Sequence, residues 1–163
     1  MTNESNLKPF TSGDIFAGAT LLNNPNDDHA GDGRIIQFDT DLNEKGILWP
    51  KNTTHLIGGL KFDNHQNLWA FDSQHYSNIR IDTNGNQLEE VDFGSRSYSN
   101  ACFTRDGNIF LGEHLVGDIS NNKALEGPRK LGTVLPFMPE TERYGDGNLY
   151  KFSSSGELLE SYE

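Results

Sequence analysis

Residues 60–72 read LKFDNHQNLWAFD and recur 41 positions later, at residues 101–113, as ACFTRDGNIFLGE. The two copies share a Phe before a turn, an Asn after the turn and an acidic residue at the end of the segment. A third copy lies 94 positions before the second, because Ser5-Asn6 matches Ser99-Asn100 and DIFAG at 14–18 matches NIFLG. The chain therefore contains three copies of one unit.

Each copy continues with a segment in which apolar and polar residues alternate, as they do in a β-strand with one buried face. These third segments read GRIIQFDTD (33–41), SNIRIDTNG (77–85) and GNLYKFSSSG (147–156). Fourth segments follow as KGILW (45–49), QLEEVDF (87–93) and ELLESYE (157–163). Gly, Asp and Asn separate the segments, and these residues favour tight turns. The pattern therefore predicts antiparallel strands that follow one another as a meander.

Four short antiparallel strands that recur about every 40 to 50 residues are typical of a β-propeller blade. The sequence predicts one all-β propeller unit over residues 1–163, with three four-stranded blades. The blades are expected at about 5–50, 55–94 and 98–163, and the third carries an inserted loop at 116–144. An ordinary β-sandwich with accidental internal similarity is the alternative.

Three blades do not close a ring, because propellers typically have four to eight blades. The chain is therefore predicted to be half of a six-bladed ring. Two copies related by a two-fold axis would complete it as a homodimer, and the missing remainder of a longer chain would complete it equally well. An inactive half-propeller fragment is a third possibility.

Composition excludes several classes of partner. The chain has 13 Lys and Arg against 24 Asp and Glu, so its formal net charge is −11. Nucleic acids and anionic membranes bind clustered cations, and neither is an expected partner of so acidic a chain. No basic segment followed by an apolar one begins the sequence, which predicts a cytoplasmic location. Cys102 is the only cysteine, which excludes a disulfide within the chain, and a free Cys in a strand behaves as a small hydrophobe.

Two segments carry a family resemblance. SNACFTRDGNIFLGE resembles the first two strands of a blade in the senescence marker protein-30/gluconolactonase family, and IGGLKFDNHQNLWAFD resembles the blades of streptogramin lyases and NHL-repeat proteins. The resemblance implies a six-bladed propeller with an axial site that holds a divalent cation, Ca²⁺ or Mg²⁺. It also implies a hydrolase or lyase that acts on a small polar or carbohydrate-like substrate. Asn100 is the residue that matches the cation-binding pattern of the gluconolactonase group.

Asp72 and Glu113 occupy equivalent positions after second strands. In a propeller the loops that follow second strands and precede first strands share one face of the ring. Two carboxylates there can ligate a hard cation through oxygen or exchange protons in acid–base chemistry. The alternative is that both carboxylates orient loops through hydrogen bonds to backbone N–H groups.

His114 follows Glu113 directly, and an imidazole that titrates near neutral pH suits a general base. A loop His that only forms hydrogen bonds is the alternative. We predict Asn100, Glu113 and Asp72 as cation ligands, Glu113 and His114 as catalytic residues, and His55, His29 and Asp72 as substrate-binding residues.

The loop NDDHAGDG (26–33) has the side-chain types that bind Ca²⁺, but its spacing does not match an EF-hand, and a solvated acidic loop is the alternative. A different class of function is also open. A non-enzymatic NHL-like scaffold would hold a protein or a small molecule on the ring face without chemistry.

Overall fold

The computed structural model describes residues 3–26, 31–51, 53, 57–72, 77–94, 96–114 and 148–162. Strands and turns make up these residues, and no helix occurs among them, which confirms the predicted all-β class. The strands are β1 (Ile15–Leu22), β2 (Gly31–Phe38), β3 (Glu44–Leu48), β4 (Ile57–Phe62), β5 (Leu68–Asp72), β6 (Asn78–Ile81), β7 (Gln87–Leu88), β8 (Tyr98–Phe103), β9 (Ile109–Glu113), β10 (Leu149–Phe152) and β11 (Leu158–Tyr162). Within the described ranges there is consequently no helix of the length and apolarity that crossing a membrane requires.

The described strands form three antiparallel sheets, in which each strand pairs with its neighbours in sequence. The first sheet has the order β1-β2-β3, the second β4-β5-β6-β7 and the third β8-β9-β10-β11. The second and third sheets share one register. Asp72 pairs with Ile57, and Glu113 pairs with Tyr98, so both residues of the second pair lie 41 positions after those of the first. The repeat in the sequence is thus a repeat of paired strands.

One turn recurs at five places in these sheets. In each turn the first residue donates its N–H to the carbonyl of the fifth, and the fourth donates to the carbonyl of the first. The turns are 39–43, 63–67, 82–86, 104–108 and 153–157. In four of them the side chain of the first residue also accepts from backbone N–H groups two and four positions later. These side-chain bonds explain why Asp and Ser begin the turns.

The fourth residue of each turn lies in the left-handed region of φ. Gly occupies three of these positions, whereas Leu42 and Gln66 occupy the other two with φ of 62° and 64°. An L-residue with a side chain is strained in this region by about 1 to 2 kcal/mol. We expect Leu42→Gly to raise the free energy of unfolding by about 0.5 kcal/mol, once the larger entropy of Gly in the unfolded chain is subtracted.

Urea unfolding measures this change, and Asp41→Gly in the same turn is the matched control. Asp41 has an ordinary negative φ, so Gly there only adds freedom to the unfolded chain and lowers stability. Equal effects of the two substitutions would contradict the strain at Leu42.

The second sheet is the middle layer of the molecule. Every residue of β5 is buried, because its alternate side chains face two different cores. Leu68 and Ala70 pack toward the first sheet with Ile35, Leu48, Ile57, Ile79 and Ile81. Trp69 and Phe71 pack toward the third sheet with Phe93, Tyr98, Ile109, Leu111, Tyr150 and Phe152.

The first strands of the second and third sheets lie side by side and run in the same direction. β4 contacts β8, and the backbone of Gly59 lies against the carbonyl of Ser99. Further along, the Asn64 amide after β4 donates a hydrogen bond of 2.7 Å to the carbonyl of Thr104, which follows β8.

β1 also contacts β4, but it runs in the opposite direction. Phe16 near the start of β1 contacts Phe62 at the end of β4, with ring centroids 5.8 Å apart. Gly18 lies against the carbonyl of Ile57 at the start of β4. β1 therefore has the direction of the second strands β5 and β9, as the match of DIFAG with NIFLG predicts.

Among the residues that the structure describes, the first sheet has three strands and not the predicted four, because Ser5-Asn6, which match Ser99-Asn100 in the first strand of the third sheet, do not form a strand next to β1. This segment lies beside β3 instead of β1, because Asn6 donates its N–H to the carbonyl of Ile47 (2.8 Å) and accepts from the Ile47 N–H through its side chain (2.7 Å). Leu7 and Phe10 then pack against the core between the first two sheets. Side-chain pairing with β3 and apolar burial thus replace the hairpin expected with β1.

Candidate functional site

Asp72 and Glu113 end the strands β5 and β9, and each pairs with the first residue of the preceding strand. Because β4 and β8 run in the same direction and contact each other, the two carboxylates lie at the same end of neighbouring sheets. Asp72 is 0% exposed and Glu113 is 7% exposed. The sequence predicted their equivalence, and the structure adds that both are buried.

Both residues close the loop between a second and a third strand. Asp72 donates its N–H to the carbonyl of Ser77 at 3.1 Å, and Glu113 donates to the carbonyl of Asn148 at 2.9 Å. Oε2 of Glu113 also accepts long hydrogen bonds from the Asn148 N–H (3.4 Å) and the Tyr150 hydroxyl (3.5 Å). The hydrogen bond from the Asn148 N–H matches, for Glu113, the loop-orienting role that was the alternative to cation binding.

His114 is half-buried directly after β9, where its N–H donates to the carbonyl of Ser97 at 2.9 Å. Burial lowers the pKa of its imidazole below the usual value, because the charged form loses hydration. The ring is therefore neutral at neutral pH. A neutral imidazole has one nitrogen that can accept a proton, which is what a general base needs.

Aromatic and basic side chains that the sequence analysis did not select surround Glu113. The Arg96 guanidinium lies 4.6 Å from the ring centroid of Tyr150, and Tyr98 contacts the same ring. Burial raises the pKa of Tyr98, and the nearby Glu113 carboxylate adds to this rise while Arg96 opposes it. The phenol therefore stays protonated and can donate. Tyr150 belongs to a segment in which apolar and polar residues alternate, and this pattern indicated one buried face without indicating its contact with Glu113.

Asn100 does not join Glu113. It pairs with Gly112 and is exposed, and its amide donates to the Ser99 hydroxyl at 3.3 Å. Because strand neighbours point to opposite faces, Asn100 and Glu113 lie on opposite faces of the third sheet. Cys102, expected as a small hydrophobe, is exposed as well.

His55, His29 and half of the acidic loop at 26–33, residues 27–30, lie outside the described residues, as does the insertion at 116–144. Within the described part of the chain, no group of three or more His, Cys, Asp and Glu residues is placed to hold a metal ion. The predicted cation site thus has at most two acidic ligands among these residues, Asp72 and Glu113.

A second polar centre, which the sequence analysis missed, lies before β1 and lines an open pocket of about 560 Å³ together with Phe10, Phe16 and Phe62. Its centre is Asp14, whose carboxylate accepts from the Thr11 N–H (2.9 Å), the Thr11 hydroxyl (2.8 Å), the Gln37 amide (2.7 Å) and the Lys45 ammonium. Burial raises the pKa of Asp14, but these hydrogen bonds outweigh burial and hold it well below its usual value. All four hydrogen bonds come from groups of the same chain, so Asp14 connects these segments to one another and has a structural role.

Comparison of the chain with models of protein families gave no match. Comparison with curated proteins gave none either.

Proposed function

We propose that each of the three sheets is one blade of a β-propeller and that the chain is half of a six-bladed ring. Three observations support this arrangement: the meander order of the strands, the shared register of the second and third sheets, and the common direction of β4 and β8. The partner that completes the ring is either a second copy of the chain or the remainder of a longer polypeptide.

We further propose that the ring binds a small polar or carbohydrate-like molecule on its axis, at the end where β4 and β8 begin. The observation that carries this proposal is the placement of Asp72 and Glu113 at that same end, with the neutral His114 next to Glu113. The function that fits these groups best is a cation-assisted hydrolase or lyase.

The two carboxylates supply the oxygen ligands that Ca²⁺ and Mg²⁺ prefer, but such cations take about six or more ligands. The other half of the ring and water would supply the remainder. When bound, the cation would polarise an oxygen of the substrate. His114 would accept a proton from the substrate or from water, and its lowered pKa keeps it ready to do so at neutral pH.

A non-enzymatic binding scaffold is the second candidate. The hydrogen bonds that Glu113 accepts from Asn148 and Tyr150 favour it, because a carboxylate that orients a loop has fewer lone pairs for a cation. In this function the ring would hold its ligand through shape and polar contacts alone.

Calorimetric titration with Ca²⁺ and then with Mg²⁺ tests the proposal. We expect binding to the native protein and a loss of about tenfold or more in affinity for Glu113→Gln, because one charged ligand disappears. Glu44→Gln is the matched control, since Glu44 is exposed at the start of β3 and its substitution changes the net charge equally. Absence of cation binding, with unchanged thermal stability in chelator, would reject the cation-assisted function and leave the scaffold.

A further inference from the structure

The third sheet exposes a face that repeats the covered face of the second sheet. In the second sheet Trp69 pairs with Arg80, whose guanidinium lies 4.8 Å from the indole centroid. In the third sheet Phe110, which is 41 positions after Trp69, pairs with Lys151, whose ammonium lies 5.7 Å from the ring centroid. Each face therefore presents an aromatic ring beneath a cation at the same place on the second and third strands.

The covered face indicates what kind of surface fits such a pair. Trp69 is 3% exposed because the third sheet packs on it. The third sheet contributes Tyr98 and two cross-strand pairs to that core, Ile109 with Phe152 and Leu111 with Tyr150. The ring of the aromatic–cation pair on the second sheet thus packs in a core that contains two large apolar pairs of the third sheet.

The first sheet carries two apolar pairs at the same positions, on the face that points away from the second sheet. Ile15 pairs with Phe38, and Ala17 pairs with Ile36. Ile15 and Ala17 lie 94 positions before Ile109 and Leu111, the spacing of the first and third copies of the repeat. Because Ile35 is buried against the second sheet, its neighbour Ile36 faces the other way.

Ile15 is 44% exposed, whereas its counterpart Ile109 is 3% exposed. We define the outer face of the first sheet by Ile15, Ala17, Ile36 and Phe38. We define the outer face of the third sheet by Phe110, Leu149, Lys151 and Tyr162, of which Leu149 and Tyr162 are 41% and 39% exposed. The outer face of the first sheet carries apolar pairs like those that pack in the core with Trp69. The outer face of the third sheet carries an aromatic–cation pair like that of Trp69 with Arg80.

We propose that a second copy of this chain docks head to tail, with the outer face of its first sheet on the outer face of the third sheet. A two-fold axis makes two such contacts and closes a ring of six sheets without open ends. This inference rests on the propeller arrangement proposed above. The occupant is a second copy, because the two outer faces of the chain complement each other as its covered faces do.

Multi-angle light scattering over a wide range of concentrations tests the proposal. We expect a particle of twice the chain's mass, and we expect Ile15→Asp and Leu149→Asp each to weaken the dimer by about 30-fold or more, since each buries a charge in an apolar contact. Leu42→Asp is the matched control. Leu42 is 66% exposed in the turn after β2, away from both outer faces, and its substitution leaves the mass unchanged.

Mixing the two variants tests the head-to-tail geometry. In a mixed pair one contact carries both substitutions and the other carries none, so an equimolar mixture regains a dimer that neither variant forms alone. Circular dichroism of each variant shows that its sheets are intact, because both residues are exposed in the single chain.

A native protein that stays monomeric at all concentrations would overturn the proposal. So would a mass that grows without limit, a dimer that only one variant weakens, or a mixture that stays monomeric. The cation titration is independent of these results. A dimer that binds no cation rejects the proposed ligand site and leaves the docking, whereas a monomer that binds cations rejects the docking alone.

Discussion

Asp63→Ala is expected to lower the free energy of unfolding by about 3 kcal/mol. Oδ1 of Asp63 accepts from the N–H groups of His65 and Asn67, and Oδ2 accepts from the Asn67 amide and from the Trp69 indole at 2.8 Å. Trp69 is 3% exposed, so its N–H would lose its acceptor inside the core. A buried donor without a partner costs about 1 to 3 kcal/mol, and the turn loses its side-chain bonds in addition. Urea unfolding measures the sum.

Asp39→Ala is the control for the turn alone. Asp39 makes the same bonds to Asp41 and Asn43, but no indole donates to it. We expect a clearly smaller loss there. Trp69→Phe removes the indole donor, so Asp63→Ala should cost less in that background than in the native chain. Equal losses in the two turns, or no coupling between Asp63 and Trp69, would contradict a structural role for the indole bond.

These turns explain why part of the fold could be predicted from the sequence. The side chain that begins each turn and the positive φ at its fourth residue are local, so they leave a local pattern of Asp, Asn and Gly. That pattern fixed the hairpins β4–β5 and β8–β9 at the 41-position spacing. The position of residues 5–10 beside β3 could not be predicted in this way. It depends on a contact between Asn6 and Ile47, which are 41 positions apart in sequence and form no local pattern.

The same distinction holds for the candidate site. The common position of Asp72 and Glu113 follows from the register of the repeat, and the sequence predicted it. Their burial, and the contact of Glu113 with Tyr150, depend on how the sheets pack. The register also shifts between Tyr98 and Asn100, and Asn100 is exposed while Glu113 is buried. The role of Asp14 could not be predicted from the sequence, because its partners Gln37 and Lys45 lie 23 and 31 positions away.

Asp14 carries the second large expected effect, a loss of stability in acid. Its carboxylate holds the start of β1 to β2 and β3 through Gln37 and Lys45, and its side chain is 4% exposed. Because its pKa is lower in the folded chain than in the unfolded chain, its contribution is complete above the unfolded value near 4. It is lost as pH falls through the folded value. At neutral pH we expect Asp14→Asn to cost about 2 kcal/mol, since the substitution removes a charge-assisted bond to Lys45.

The difference in unfolding free energy between the native chain and Asp14→Asn isolates this group, because the other carboxyls with lowered pKa, such as Asp63 and Asp82, are present in both proteins. We expect the difference to be constant above about pH 5 and to shrink below about pH 4, as the native carboxyl takes up its proton. Asp14→Asn combined with Lys45→Met is the control. It removes the unpaired ammonium, so its cost should be smaller than that of Asp14→Asn alone. A difference that stays constant down to pH 2 would mean that ionisation of Asp14 does not stabilise the folded chain, and the lowered pKa assigned to it would be wrong.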